Sequence, residues 1–258
     1  MKLRMLGTGS AFAKAYYNNN ALINIGGLRL MLDCGTTAPR VLHQLGIEFN
    51  EIDAVLISHI HADHVGGLEE FAFQSKFKYK RKPALYIAET LAEPLWEHSL
   101  RGGLEQEGLN SLDDFFDVRP IEPGKAVTIF PDLQVELLRT PHIPGKISYS
   151  VLINDFFFYT ADMQFDRDLL EKLVAERGVN VIFHDCQLFS PGAVHATLTE
   201  LLTLPDDLQE KIYLMHYGDN QPDYIGRTGK MTFIEQHKVY EINPGSVVLL
   251  DEMRYNRQ

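Results

Sequence analysis

Cysteine is nearly absent: the 258 residues hold two, Cys34 and Cys186, far apart and outside any CxxC pattern. That excludes a disulfide framework and a zinc ribbon, and fits reduced thiols in cytosol. Long apolar runs are missing as well. No stretch reaches the ~18 consecutive apolar residues that a membrane span needs, and the opening MKLRMLGTGS lacks the apolar run of a signal peptide. The expectation is a cytoplasmic protein with no membrane partner. Basic residues are in deficit, 24 Lys plus Arg against 35 Asp plus Glu, for a net charge of −11. A long nucleic acid is therefore disfavoured as main partner, because such affinity rests chiefly on neutralising phosphates. No repeat, low-complexity tract or Pro/Gly/Ser linker divides the chain, so residues 1–258 read as one domain.

What is present suffices for a large core. Hydrophobic residues make up 45% of the chain and aromatics 10%, which rules out disorder and a fibrous repeat. Short apolar runs alternate with turn signals at 3–6, 21–25, 28–32, 54–57 and 84–88, and again at 135–140, 147–153, 156–160, 179–183, 212–215 and 246–250. Each reads as a strand. Helical spacing occupies 38–45, 68–77, 91–100, 167–175 and 195–202. Gly26-Gly27 and Asn154-Asp155 each separate two apolar runs and predict hairpins. Strands in both halves with helices between them predict an α/β layered sandwich rather than one doubly wound sheet.

Chemistry concentrates after the run at 54–57. Ser58-His59-Ile60-His61-Ala62-Asp63-His64 places four candidate metal ligands, His59, His61, Asp63 and His64, within six residues. Neutral imidazole offers a nitrogen lone pair, and a carboxylate beside it lowers the net charge around a dication. Three more residues repeat the placement just past an apolar run: His142 after 135–140, Asp162 after 156–160 and His216 after 212–215. If those strands lie side by side, their ends converge on one rim. Seven donors divide between two cations with one carboxylate bridging, and two cations ~3.5 to 4 Å apart can activate a water while holding a phosphate. Five histidines suit Zn²⁺, with Mn²⁺ or Fe²⁺ as alternatives.

HxHxDH at 59–64 with isolated His142, Asp162 and His216 resembles the metallo-β-lactamase superfamily. The opening MKLRMLGTGS and Leu32-Asp33-Cys34-Gly35 extend the resemblance over nearly the whole chain. It implies a four-layer αββα metallo-β-lactamase sandwich. It also implies His59, His61 and His142 on a first metal, Asp63, His64 and His216 on a second, and Asp162 between them, with Asp63 counted among the catalytic residues. Members of the superfamily hydrolyse lactams, lactones, thioesters and phosphodiesters, so the ligand set leaves the substrate open.

His184-Asp185-Cys186 follows the run at 179–183, and His195-Ala196-Thr197 comes eleven residues after His184, opening a predicted helix. The pair of segments is similar to the ribonuclease Z branch, where a His-Glu dipeptide and a later His-Ser-Thr supply a carboxylate and a general-acid histidine. Here Asp stands in place of Glu. The resemblance implies that His195 protonates a leaving alkoxide and that Asp185 orients its ring. No serine has the context of a nucleophile elbow.

That branch grips tRNA with an extended basic arm, and this chain has no long Gly/Pro/Lys-rich insertion. Its basic run, Lys76, Lys78, Lys80, Arg81 and Lys82, reads as a solvated helix end. A cyclic mononucleotide carries one charge, which two metals can neutralise, and its base can stack on Tyr224 in the loop after His216. Size, metal dyad and charge together resemble the anti-Pycsar-type cyclic-nucleotide phosphodiesterases. The resemblance implies a dinuclear-metal phosphodiesterase with two Zn²⁺ that opens 3′,5′-cyclic mononucleotides and counters cyclic-nucleotide immune signalling. A ribonuclease Z-like endonuclease and a non-catalytic metal-binding scaffold are the alternatives. Relatives of this architecture pair as homodimers, and residues 101–116 are expected to supply contacts. Segment 217–227 reads as a lid over the site or as a surface connection.

Overall fold

The computed structural model of the chain describes residues 1–250. Two sheets pack face to face. The first runs β15 (Ser246–Leu250), β14 (Val239–Asn243), β1 (Lys2–Met5), β2 (Ala21–Ile25), β3 (Leu28–Leu32), β4 (Ala54–Ile57), β5 (Ala84–Ala88) and β6 (Asp117–Ile121). The second runs β13 (Thr232–Phe233), β12 (Ile212–Met215), β11 (Val181–Asp185), β10 (Phe157–Tyr159), β9 (Tyr149–Ile153), β8 (Leu133–Arg139) and β7 (Val127–Phe130).

The strands at the centre of the second sheet are apolar on both faces, and alternation explains why. Tyr149, Val151 and Ile153 of β9, Phe157 and Tyr159 of β10, and Val181 and Phe183 of β11 belong to the core cluster shared with the first sheet. Their in-between neighbours Leu152, Phe158 and Ile182 belong to a second cluster with Leu170 and Leu173 of the helix Arg167–Arg177. Successive strand residues point to opposite faces, so helix-covered strands must be apolar throughout. On the other side, the helices Ala38–Gln44, Leu68–Phe73 and Glu89–Leu95 add Val41, Leu42, Phe71 and Leu91 to the first cluster. The order helix, sheet, sheet, helix is the four-layer sandwich that the sequence predicts.

Both predicted hairpins form. Gly26 and Gly27 lie at φ of 59° and 81°, and Asn154 and Asp155 at 50° and 59°, the left-handed backbone that joins β2 to β3 and β9 to β10. Some boundaries differ from expectation. The predicted helix at 68–77 is α-helical as far as Phe73 and then widens into a π-turn over Gln74–Lys78. The one at 91–100 does the same over Trp96–Leu100, just past Pro94 inside the helix. The predicted helix at 195–202 spans Leu198–Leu201, because Thr197 caps it and closes a capping box with Glu200. His195 therefore stands in the preceding loop. Strand β6, like β7, β13 and β14, falls outside the predicted runs; it is an edge strand in which exposed Asp117, Arg119 and Pro120 leave only Val118 and Ile121 to mark it.

Direction is what positions the site. Strands β10, β11 and β12 are parallel, and β8 runs with them because it is antiparallel to β9, which is antiparallel to β10. Strands β3, β4 and β5 are parallel in the other sheet. At their common edge the Tyr149 N–H donates to the Ser58 carbonyl at 3.2 Å, linking the two sheets.

Candidate metal centre

Each predicted donor outside the HxHxDH run stands one to three residues past a strand end: His142 after β8, Asp162 after β10 and His216 after β12. Asp33 follows β3 in the same way. Ala161, His216 and Asp33 lie at φ of 50°, 57° and 59°, so the chain turns sharply at these ends and throws the functional side chains inward. Holding a non-glycine residue there costs of order 1–2 kcal/mol. Below the HxHxDH segment, Gly35 is required by proximity: a Cβ on it would lie 1.8 Å from the Asp63 carbonyl oxygen. Asn20 ties the same two loops, accepting from the Gly35 N–H at 2.9 Å and donating to the Asp63 carbonyl at 3.1 Å.

The seven predicted ligands form two groups that meet at Asp162. In the first, His59 Nε2 lies 2.9 Å from His61 Nδ1, His142 Nε2 lies 3.4 Å from the same atom, and Asp162 Oδ2 lies 3.7 and 3.8 Å from His59 and His142. In the second, His64 Nε2 lies 3.2 Å from Asp63 Oδ2 and 3.3 Å from Asp162 Oδ1, and His216 Nε2 lies 3.4 and 3.3 Å from the same two oxygens. Each carboxylate oxygen of Asp162 thus faces a different group.

These spacings fit cations. Donors at 2.0–2.2 Å from a tetrahedral Zn²⁺ stand roughly 3.3 Å apart. His64 Nε2 and Asp162 Oδ1 are buried without a hydrogen-bond partner, an arrangement that is costly unless something else occupies the space they face. The outer ring nitrogens are already committed. His142 Nδ1 donates to the Val194 carbonyl at 2.7 Å, which leaves Nε2 with its lone pair toward the group. His64 Nδ1 meets Asp33 Oδ2 at 2.7 Å, and Ser58 donates its N–H and its hydroxyl to the same carboxylate.

Charge is distributed unequally. Burial opposes the imidazolium of His59, His61 and His142 and pushes all three below the usual histidine range. Burial opposes it in His64 too, but Asp162, Asp63 and Asp33 surround that ring and raise it well above the usual range. The surrounding histidines conversely hold Asp162 and Asp63 low against the desolvation that would raise them. The ion pairs of Asp63 and Asp162 are with the histidines of the cluster itself, so a dication placed between them would satisfy both kinds of donor at once.

Beside the second group, His195 Nδ1 lies 2.7 Å from Asp185 Oδ2, and its ring centroid is 4.8 Å from that of His216 and 4.9 Å from that of His142. The shorter Asp reaches the ring without difficulty. Burial works against a charged His195, but the hydrogen bond and charge of Asp185 outweigh it and bring its pKa up to about 9. Its side chain is 21% exposed, so it can exchange protons with solvent, whereas Asp185 is fully buried.

The remaining expectations are placed as follows by the structure. Tyr224 packs against the second core cluster rather than over the donors. Lys78 pairs with Glu48, Lys76 with the Asp114 carbonyl and Arg81 with the carbonyls of Asn50 and Ile52, while Lys80 and Lys82 are exposed at the end of the same segment. Segment 217–227 is tied down in its first half: Asp219 accepts from the N–H groups of Lys14 and Ala15, and Gln221 from the Tyr16 hydroxyl. Cys34 and Cys186 are buried and unpaired. Sequence reasoning assigned no role to Asp33 and Ser58. The position of Asp33 directly after an apolar run, like that of His59, was the available signal.

The fold and the rim define a metallo-β-lactamase-fold protein with a His/Asp centre able to hold cations. The metallo-β-lactamase fold protein YhfI from Bacillus subtilis matches with a TM-score of 0.74 at 18% identity, over 93% of this chain and 99% of that one. A diphosphatase from the PhnP family matches at 0.75 and 17%, over 94% and 98%. The family model of anti-Pycsar protein Apyc1 matches residues 1–240. The anti-Pycsar protein Apyc1 of Paenibacillus harenae is 62% identical over 242 residues, covering 94% of this chain and 100% of that protein. The chain belongs to the anti-Pycsar protein Apyc1 family.

Proposed function

We propose that this chain is a metal-dependent phosphodiesterase that opens 3′,5′-cyclic mononucleotides to linear 5′-monophosphates, and so removes the signal of a Pycsar-type defence. The observation that carries the reading is the His195–Asp185 pair, hydrogen-bonded at 2.7 Å and set beside the donors of His216 and Asp162. A poised acid is needed where the leaving group is a poor one, and a sugar alkoxide is such a group. The family relationship supports the biological setting.

Two Zn²⁺ ions held by His59, His61, His142 and Asp162 and by Asp63, His64, His216 and Asp162 would supply Lewis acidity, making water a better nucleophile and neutralising phosphoryl oxygens. The chain's own residues do the rest. Asp162 spaces the two groups with one oxygen toward each. Asp33 and the Val194 carbonyl engage Nδ1 of His64 and His142, which directs Nε2 of each toward the donor group; on His64 a bound cation would take the place of a proton. Asp185 holds the His195 ring so that Nε2 faces the site. As the P–O3′ bond breaks, O3′ keeps the electron pair and takes the His195 proton, and solvent restores the proton through the exposed edge of the ring.

The test is a side-by-side assay of the metal-loaded chain on cAMP, cGMP, cCMP, cUMP and a precursor tRNA with a 3′ trailer. Turnover of cyclic nucleotides to 5′-monophosphates is expected, with two equivalents of zinc by elemental analysis. Trailer removal with all four cyclic nucleotides untouched overturns the proposal.

A further inference from the structure

Among the described residues, seven large hydrophobic side chains are exposed, and two of them, Phe12 at 88% and Phe189 at 59%, line one cavity of about 480 Å³. The same cavity is lined by His195 and His216. Exposed phenylalanines cost solubility, so two of them at the mouth of a metal centre ask for an occupant. The cavity is of a size that takes a nucleoside.

We infer that this cavity is the nucleobase subsite, with Phe12 and Phe189 as the stacking walls for the base of a cyclic mononucleotide. The inference rests on the phosphodiesterase reading above. It follows from the covalent structure of the substrate. In-line displacement puts the departing O3′ on the far side of phosphorus from the attacking water, next to the acid. In a cyclic nucleotide O3′ and O5′ belong to one ribose, so the whole nucleoside lies on the acid's side. His195 opens onto this cavity, whereas a second cavity of about 250 Å³ beside the centre is lined by His59 and His61 without His195.

Charge supports a neutral occupant. No Lys or Arg lines the cavity, so it offers nothing to a second phosphate, and a nucleoside beyond its single cyclic phosphate has none. The polar wall groups are largely spent on holding the aromatics in place. Gln187 Nε2 donates to the carbonyls of Phe189 and Pro191 at 2.8 and 2.9 Å. Asp219 accepts from the amides of Lys14 and Ala15, and Ser10 N–H donates to the Tyr217 carbonyl at 3.0 Å, which stitches the Phe12 loop to the segment carrying His216. With few free groups to read a base edge, recognition falls to the π-face that every base has. All four bases are therefore accepted.

The experiment uses the metal-loaded full chain and reads kcat/KM for cAMP, cGMP, cCMP and cUMP against base-free 1-deoxyribose 3′,5′-cyclic phosphate. The unmodified chain should prefer each nucleotide over the base-free compound. Phe12→Ala/Phe189→Ala should lose roughly 10- to 100-fold of that preference, carried by KM rather than kcat, and Phe12→Tyr/Phe189→Tyr should restore it. An unmodified chain with no preference, or an alanine pair that keeps it, overturns the subsite. So does an alanine pair that keeps the preference while sedimenting as a smaller species, which would make the aromatics a contact between copies. If the unmodified chain turns over no cyclic nucleotide and not the base-free compound either, it is the phosphodiesterase reading that fails, and the subsite falls with it.

Discussion

Strand β4 (Ala54–Ile57) has charged residues gathered at both ends, and the two ends treat them in opposite ways. Ahead of it, Asp53 accepts from the Arg29 N–H at 2.9 Å, and Arg29 pairs with Glu51 at 2.7 Å, on the edge of an open cavity of about 850 Å³. Behind it, two smaller cavities are lined by His59 and His61 and by His195 and His216, at the edge of a donor cluster in which His64 Nε2 and Asp162 Oδ1 are buried without partners. The larger hollow is chemically quieter: its Glu51 has a guanidinium and its Asp53 a backbone N–H. The rim is unsettled, because imidazoles crowd imidazoles and the carboxylates of Asp63 and Asp162 are answered by those same imidazoles. What distinguishes a functional site from a groove here is the unpaid desolvation of its donors, not its volume.

Breaking the rim should therefore cost far more than breaking the opposite end. Asp162→Ala removes the one carboxylate that faces both donor groups, so metal content by elemental analysis and nearly all hydrolysis should be lost together. A variant that keeps its full metal complement would take the bridge out of this account. Stripping metal from the unmodified chain with a chelator should lower its thermal midpoint, and restoring Zn²⁺ should raise it, since a ligand bound to the folded state stabilises it by mass action.

His195→Ala comes next. Loss of the acid should slow a cyclic nucleotide, whose leaving group is an alkoxide, by ~10² to 10⁴, and slow bis-p-nitrophenyl phosphate much less, because p-nitrophenolate departs unaided. Equal losses on both would reduce His195 to positioning. Asp33→Asn should be milder. It leaves the ligands in place but weakens the hold on His64, and loss of such a supporting partner typically costs 10- to 100-fold in metal affinity. Competition with a chromophoric chelator reads this directly, and unchanged affinity would show that His64 needs no such support. The smallest effect belongs to the other end of β4. Arg29→Ala removes a half-exposed ion pair worth ~0–1 kcal/mol, so the thermal midpoint should move by under about 4 °C with metal content untouched. A loss of metal there would dissolve the contrast between the ends.

Much of the rim was legible because metal ligands follow apolar strands: HxHxDH, His142, Asp162 and His216 can each be picked out by residue type and place. The His195–Asp185 pair was visible through a family resemblance, though the helix expected to begin at His195 starts at Leu198. Closeness to a ligand along the chain points to Tyr224 as a stacking partner. It packs instead into the second core cluster, and the aromatics that do line the cavity come from residues 12 and 189, nowhere near each other in sequence. Strand β6 is hidden because Pro120 and two exposed charges leave only Val118 and Ile121 as apolar signal.

The sequence by itself determined the donor chemistry and the two-sided apolar strands that carry it, because imidazole, carboxylate and hydrophobic periodicity are local and covalent properties. Tertiary structure alone decided the division of labour. Asp162 faces two groups, Asp33 reaches His64 and Phe12 shares a wall with Phe189 only because the register of two sheets brings together residues separated by 31 to more than 150 positions. Such separations leave no trace in spacing, since the energy that selects them is the burial of faces the chain cannot bury on its own.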